Sequence, residues 1–384
     1  MIESKYKKAI GLILKCNPDN IFLYWKGRVA LYAILKAMGI KKDDEIILPA
    51  FTCVVVPNAI IYLSAKPVYV DISPDTFNME VNRIEEAITS KTKVIICQNT
   101  FGLSSNVEEI IRIAKKHNLF TIEDCTHGFG GTYNGKPNGS YCDAAFYSTQ
   151  WNKPFSTGIG GFSLINKSEL IVKVKQLEQE KIQPSFLEQL ALVSLLIFNR
   201  YFINKFTYWS LVRLYRFLSK RNLIIGSNQG DELSDIKMPQ KYFKNISSIQ
   251  ARMGIRELKK LASFKKLRGK NASAYTQFLK ENHKVYVNNN LFDNHLFLKY
   301  PVLVTNRDLF LKLAEKENIS IGDWFLSPIH PIKEKFELWK LNRDHFPVAK
   351  IISTKIVNLP TDIDDNRKVL DFIKTHIDMI ESDF

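Results

Sequence analysis

Short apolar runs alternate with helical patterns from the N-terminus to Ile165 of this 384-residue chain. The runs EIILP, KPVYVDI, KVIICQN and LFTIED are separated by turn residues or by helical segments such as VEEIIRIAKKHN, and they lack the polar alternate positions of a strand with one wet face. Strands of this kind, connected by helices, form parallel β-α-β units in a sheet that is covered on both sides. The sequence therefore predicts a large α/β/α domain with a mainly parallel sheet.

The rest of the chain has a different pattern. It is predicted to be helical from Lys167 to about Arg221, and again in a long helix from Ile246 to about Leu279. The C-terminal third mixes candidate strands (KVYV, HLFLKYPVLV, ISIGDWF, KIVNLP) with helices, which is typical of an α+β unit. We expect a large domain over residues 1–240, with a helical insertion at about 167–235, and a smaller C-terminal α+β domain over residues 241–384. In the large domain, spacing predicts further helices over RVALYAILKAM, opened by Gly27, and over NRIEEAITS.

Residues 186–221 contain one acidic residue, Glu188, among many aromatic and basic ones. The longest uncharged run, Gln189 to Asn199, is too short to cross a bilayer. Two interpretations remain: a helical pair that is buried or contacts another subunit, and a basic amphipathic element that rests on an anionic membrane surface.

The composition narrows the class of protein. An excess of 54 Lys+Arg over 39 Asp+Glu, a net charge of +15, favours an anionic partner. The lysines are dispersed and no nucleic-acid-binding motif is visible, so we expect a phosphorylated small molecule rather than nucleic acid. The N-terminal apolar stretch is too short for a secretory signal, and the five cysteines lack CxxC spacing. Reduced thiols, no metal centre and a cytoplasmic location are therefore expected.

Two residues in the large domain stand where chemistry is expected. Asp124 ends an apolar strand, at the sheet edge where ligands bind in open parallel sheets. Lys153 lies in a compact loop between the strand AAFYS and the glycines Gly158, Gly160 and Gly161. Pyridoxal 5'-phosphate (PLP) needs an amine for its aldehyde and an acid opposite its ring nitrogen. Lys153 and Asp124 are candidates for these two roles.

The remaining requirements of PLP also have candidates. Gly27 opens a helix whose unpaired N–H groups could hold a phosphate, and Ser148 could add a hydroxyl. His127, three residues after Asp124, could lie beside the ring. Each residue alone also fits a structural role: a capping aspartate, a solvated lysine, a simple helix start or a buried histidine.

Taken in order, several blocks of the sequence resemble the DegT/DnrJ/EryC1/StrS family of sugar aminotransferases, which are fold-type-I PLP-dependent enzymes. The blocks run from about Trp25 to the C-terminus, interrupted from about Lys167 to Asp235, and they include GRVAL, DEIILPAFTCVVVPNAIIYLSAKPVYVDISPDTFN, AKKHNLFTIEDCTHGFGGTYNGKPNGSYCDAAFYS, SSIQARMGIRELKKL, SPIHP and FPVAKIISTKIVNLPT.

The resemblance implies roles for particular residues. Lys153 would bond to the cofactor and move protons, and Asp124 would pair with the pyridine nitrogen. Ser148 and the amides of Gly27 and Arg28 would hold the phosphate, with His127 beside the ring. The implied cofactor site consists of Gly27, Arg28, Val29, Cys53, Asp124, His127, Ser148 and Lys153, and His330 would bind substrate.

Three positions depart from the family pattern. Cys53 stands where most members have an aromatic residue that stacks on the ring, so stacking would be weaker or supplied by His127. Arg28 replaces a small residue and could add charge for the phosphate or for a substrate diphosphate. The asparagine that a neighbouring subunit lends to the phosphate aligns near Phe243, so Lys241 or Lys244 could make that contact.

The resemblance predicts an enzyme that transfers an amino group, from glutamate, to a nucleotide-linked keto sugar in surface polysaccharide or glycan synthesis. It also implies a homodimer with shared active sites. Two alternatives remain: a PLP enzyme that dehydrates or epimerises sugars, and a cofactor-free scaffold protein docked on a membrane through residues 186–221.

Overall fold

The computed structural model of the chain describes residues 2–202, 207, 211, 232–233 and 236–383. The helices in this part are α1 (Ile2–Leu14), α2 (Gly27–Ala37), α3 (Val55–Ile61), α4 (Val107–Lys116), α5 (Ser168–Leu177), α6 (Phe186–Phe202), α7 (Ser248–Leu258), α8 (Leu261–Glu281), α9 (Arg307–Lys316), α10 (Pro347–Lys355) and α11 (Arg367–Thr375). The strands are β1 (Ile21–Tyr24), β2 (Glu45–Pro49), β3 (Thr52–Cys53), β4 (Lys66–Val70), β5 (Thr92–Gln98), β6 (Phe120–Asp124), β7 (Thr132–Tyr133), β8 (Lys136–Pro137), β9 (Ala144–Ser148), β10 (Gly161–Ile165), β11 (Tyr300–Leu303), β12 (Ile329–His330) and β13 (Ile356–Leu359).

Seven strands form the central sheet in the order β1-β10-β9-β6-β5-β2-β4. β4, β2, β5, β6 and β9 are parallel, whereas β10 runs antiparallel to β9 and β1 antiparallel to β10. Nearly every residue of these strands is buried, because helices cover both faces of the sheet. The predicted α/β fold with a mainly parallel sheet is confirmed.

A second core lies in the C-terminal part of the chain. Here β11 pairs antiparallel with β13, and Tyr275, Phe310 and Phe372 are buried between these strands and α8, α9 and α11. α7 belongs instead to a core that contains α1, where Tyr6 and Ala251 are buried together. The domain boundary at residue 240 stays a prediction.

Some predicted elements differ in the structure. NRIEEAITS forms two 3₁₀ turns, Val81–Arg83 and Glu85–Ala87, because Ile84 is the one side chain of the segment that is fully buried. The long helix is two helices that break at Lys259-Lys260, since α7 and the end of α8 serve different cores. KVYV and ISIGDWF are not strands: the latter makes a single bridge, from Gly322 to Asn358, before the chain turns.

The helical segment after Lys167 is described only as far as Phe202. α5 and α6 confirm the helical prediction for that stretch. The basic residues Arg213, Arg216, Lys220 and Arg221 lie outside the described residues, so the predicted basic amphipathic face stays untested. No helix among the described residues is long and apolar enough to cross a membrane.

Candidate active site

Asp124 ends β6, in the middle of the central sheet, and its side chain is buried. Its Oδ1 accepts a hydrogen bond of 2.9 Å from the N–H of Thr126, which fixes the carboxyl group. Burial raises the pKa of Asp124, while the hydrogen bonds from Thr126 and the positive charge of Lys153 act in the opposite direction. The net effect raises the pKa of Asp124, and these neighbours limit the rise.

Lys153 lies in the loop that joins β9 to the antiparallel strand β10. The loop closes on itself through backbone bonds from Thr149 to Gly160 and from Trp151 to Gly158, and both glycines have a positive φ that other residues rarely adopt. Burial lowers the pKa of Lys153, whereas the neighbouring Cys53 and Asp124 raise it. Because Lys153 and Asp124 shift each other's pKa, the structure brings these two predicted residues to one site.

The start of α2 packs against the end of β9. A Cβ atom on Gly27 would lie 2.8 Å from Cβ of Ser148, so only glycine allows this approach. A Cβ on Gly161 would lie 2.2 Å from Cα of Gly27, so β10 needs a glycine as well. No side chain caps the helix, and Val29 is buried in its first turn. An uncapped helix start beside a serine hydroxyl suits an anion.

The guanidinium of Arg28 forms a buried ion pair. Its Nη1 lies 2.6 Å from Oε2 of Glu232, and both side chains are buried. Asn58 donates a hydrogen bond of 2.8 Å to the backbone oxygen of Glu232, which anchors the acid. The charge of Arg28 still lowers the pKa of Lys26 and of Lys153, so the contact from Arg28 to the phosphate or the substrate stays a prediction.

Two histidines of the site are held neutral. Nδ1 of His127 accepts a hydrogen bond from the N–H of Phe101, and burial, with Lys153 nearby, lowers the pKa of His127 well below its usual value. Nδ1 of His330 likewise accepts from the N–H of Leu326, and burial lowers the pKa of His330 to about 4. With Nδ1 as acceptor, each neutral ring carries its proton on Nε2, which can donate to a ligand.

Cys53 and His330 face each other across a short parallel pairing of β3 with β12. Cys53 is half-buried and contributes to the electrostatics of Lys153. The pairing therefore brings the predicted substrate residue His330 to the cofactor side chains.

The segment that replaces the family's phosphate-binding asparagine lies next to α2. Lys241 and Lys244 line a cavity with Lys26, the residue before the helix, and the N–H of Trp25 donates to the backbone oxygen of Lys244. The ammonium group of Lys244 is paired with Glu188. Burial and the nearby Arg28 lower the pKa of Lys26 to about 8.

Sequence reasoning missed several side chains that the fold adds to the site. Nζ of Lys153 lies 4.7 Å from the ring centroid of Trp324, and the charge of Lys299 acts on both Lys153 and His127. Arg268 is buried and donates long bonds of 3.5 Å to the backbone oxygen of Pro154, beside Lys153. These residues come from the C-terminal part of the chain, and no local pattern marks them.

The described residues fit PLP. A buried amine with a lowered pKa, a carboxylate coupled to it, and an uncapped helix start next to a hydroxyl are the groups that PLP requires, and they occur together. Lys153, Asp124, Gly27 and Ser148 would hold it.

Comparison with known families supports the same conclusion. The model of the DegT/DnrJ/EryC1/StrS aminotransferase family matches residues 25–191 and 227–373. The chain belongs to this family. The match confirms the predicted family, which is described as one of aminotransferases.

The chain is also similar to individual members of the DegT/DnrJ/EryC1/StrS family. A GDP-perosamine synthase of Escherichia coli O157:H7 is 42% identical over 144 residues, which are 38% of this chain and 40% of that protein. The chain therefore matches less than half the length of this relative. The uncharacterized protein MJ1066 of Methanocaldococcus jannaschii is 29% identical over 86% of this chain and 78% of that protein.

A solved structure of NtdA from Bacillus subtilis, with bound cofactor PMP, superposes on 98% of this chain and 77% of that one, with a TM-score of 0.73 and 21% identity. At this identity the likeness concerns the fold. It confirms the predicted fold type.

Proposed function

We propose that this protein is a PLP-dependent aminotransferase that moves an amino group from glutamate to a keto sugar carried by a nucleotide, for surface polysaccharide or related glycan synthesis. The observation that carries the proposal is the coupled pair of Lys153 and Asp124 at the carboxyl ends of parallel strands. The excess of basic residues suits a substrate that bears a diphosphate.

The residues have distinct tasks. Lys153 Nζ, whose pKa burial lowers, is neutral often enough to attack an aldehyde and then to take and return a proton at the substrate carbon. Asp124, held by Thr126, keeps the ring nitrogen protonated. Bound PLP supplies the electron sink for the carbanion. Nε2–H of His127 donates a hydrogen bond beside the ring, and His330 presents the same group to the substrate.

The phosphate is held by main-chain and hydroxyl groups. The phosphate accepts hydrogen bonds from the amides of Gly27 and Arg28, in the uncapped first turn of α2, and from the hydroxyl of Ser148. Val29 is buried in the same turn. The Arg28 side chain is paired with Glu232. Lys26, Lys241 and Lys244 line the adjacent cavity, together with Glu188 and Glu232.

The functional protein is a homodimer with shared active sites. α6 packs against the catalytic loop, since a Cβ on Gly158 would meet Leu192 and Leu196, and its opposite half exposes large apolar side chains. A second copy of the chain would cover this face next to Lys153. Contact of residues 186–221 with an anionic membrane is the other candidate, and the same face favours it. Five unpaired cysteines favour a reducing, cytoplasmic location.

The purified enzyme with PLP tests the proposed reaction. Glutamate should convert the lysine-bound cofactor to its amine form, with loss of the visible absorption band, and the right nucleotide-linked keto sugar should restore the band. Lys153→Ala should show neither change, whereas Lys175→Ala, an exposed lysine on α5, should behave like the wild type. An unchanged spectrum with glutamate would favour the dehydration or epimerisation alternative instead.

A further inference from the structure

Trp324 is the aromatic side chain that the fold brings over the catalytic amine. Nζ of Lys153 lies over the indole, 4.7 Å from its centroid. The aldehyde carbon of PLP would bond to this nitrogen. The ring of the cofactor would therefore lie close to the indole, because the nitrogen that holds it already contacts the indole. An aromatic surface at this distance can pack against a pyridine ring.

The backbone of Trp324 is anchored to β13, because its main-chain N–H donates a hydrogen bond of 2.9 Å to Oδ1 of Asn358. Its ring lies parallel to His127, with 4.9 Å between centroids and 5° between planes. Trp324 therefore covers one face of His127. His127 alone is then not enough to explain how the cofactor ring is stacked.

Three phenylalanine rings nearby are almost fully buried. Phe51, Phe101 and Phe325 are at most 3% exposed, and they pack on one another. Trp324 is half-buried and keeps part of its surface accessible. Its ring also approaches His330, the residue opposite Cys53, with 6.4 Å between centroids. The indole thus lies near the position where the thiol of Cys53 replaces an aromatic ring.

We propose that Trp324 provides the aromatic surface against which the pyridine ring of the cofactor packs, a task that the small thiol of Cys53 cannot perform. Trp324 arrives from the C-terminal part of the chain, whereas Cys53 belongs to the sheet domain. The inference depends on the proposed function, since it assumes that PLP binds at Lys153.

The dissociation constant of PLP, measured with the apoenzyme, tests this role. Trp324→Leu removes the ring and should weaken PLP binding roughly 3- to 10-fold, whereas Trp324→Phe should stay within about 3-fold of the wild type. The circular dichroism of bound PLP should fall in the Leu variant and persist in the Phe variant, because it reports the environment of the ring. If the Leu variant does not fold, Trp324→Met and Trp324→Tyr make the same comparison.

A second substitution separates stacking from general packing. Cys53→Phe places a ring at the position of the thiol, near which the indole lies, so it should restore PLP affinity when combined with Trp324→Leu. A Leu variant with wild-type affinity and wild-type circular dichroism, or a double variant that stays weak while folded, would overturn the role of Trp324. A wild type that binds no PLP at all would instead overturn the proposed function.

Discussion

At the scale of single residues, burial decides which groups of the site can be charged. Burial and cationic neighbours lower the pKa of both His127 and His330, and Asp323 only partly offsets this at His330, so each is a neutral donor rather than an acid. Lys153 is driven towards its neutral, nucleophilic form by the same effect, and Asp124 limits that shift. Under the proposed function, Lys153 therefore moves the proton at the substrate carbon, and the imidazoles orient the ligands.

Neither histidine should titrate near neutral pH. The pKa of His330 is lowered to about 4 and that of His127 well below its usual value, so the ring carbon resonances of both should stay constant between about pH 5 and 8. Isotope-edited NMR of the protein, with His127→Gln and His330→Gln for assignment, measures this. A titration midpoint near neutrality that disappears in either variant would contradict the neutral assignment.

Lys26 should make stability depend on pH in the alkaline range. Its pKa is about 8 in the folded state, against an ordinary value of 10.5, so the unfolded chain binds more protons between these values and stability rises with pH across that window. Below about pH 8, Lys26 is charged in the folded state as well, and the destabilisation caused by its buried charge is at its largest. Lys26→Met should therefore raise the melting temperature at neutral pH, and the gain should shrink as the pH rises towards 10.5. A gain that is independent of pH would show that the charge of Lys26 is not responsible.

At the scale of elements, the site depends on how closely α2 approaches β9 and β10. Gly27 and Gly161 let the helix start sit on the strands that carry Ser148 and lead to the Lys153 loop. This close approach sets the position of the groups that would bind the phosphate relative to the amine of Lys153. One extra methyl group at this point should disturb both stability and cofactor binding.

Gly161→Ala tests this packing. The new Cβ would lie 2.2 Å from Cα of Gly27, a backbone atom that cannot give way, and the expected loss of stability is roughly 2–4 kcal/mol. The control is Gly269→Ala in the middle of α8, where a Cβ meets nothing within 4 Å and where alanine should add about 0.5–1 kcal/mol. Urea denaturation compares the two. Equal stabilities would mean that the contact between α2 and β10 is looser than described.

The elements also show how far sequence reasoning reaches. β5 and β6 can be predicted because each is a continuous apolar run, a pattern that is visible within a few residues. Asp124 is then placed as the last residue of β6. NRIEEAITS has helical spacing, yet it offers only Ile84 to the core, and the chain settles into 3₁₀ turns. The pairing of Arg28 with Glu232 and the position of Trp324 over Lys153 arise from tertiary packing between distant segments. No local pattern encodes them.

At the scale of the whole molecule, α6 leaves one large apolar face exposed among the described residues. Its exposed apolar residues share one half of the helix at about 3.6 residues per turn, and they are Phe186, Leu187, Leu190, Leu195, Ile197, Phe198, Tyr201 and Phe202. The other half packs towards the loop of Lys153 through Leu192. A partner that covers α6 would therefore stiffen the active site directly.

The oligomeric state should depend on this face. The wild type should sediment as a dimer, and Leu190→Glu combined with Phe198→Glu should yield monomers with reduced activity. Leu309→Glu, which changes an equally exposed leucine on α9, should leave the dimer intact. Flotation with neutral and anionic vesicles tests whether a membrane covers this face instead. The membrane contact would replace the dimer if the wild type is monomeric and floats only with anionic vesicles, and if the double variant no longer floats.

The central claim is that Lys153 is the amine that holds PLP opposite Asp124. Borohydride reduction of the enzyme with bound PLP makes the bond between lysine and cofactor permanent, and mass spectrometry of its peptides locates the added mass. The cofactor should be found on Lys153, and it should be absent after reduction of Lys153→Ala. Cofactor attached to another lysine of the site, such as Lys26 or Lys299, or to none, would contradict the claim.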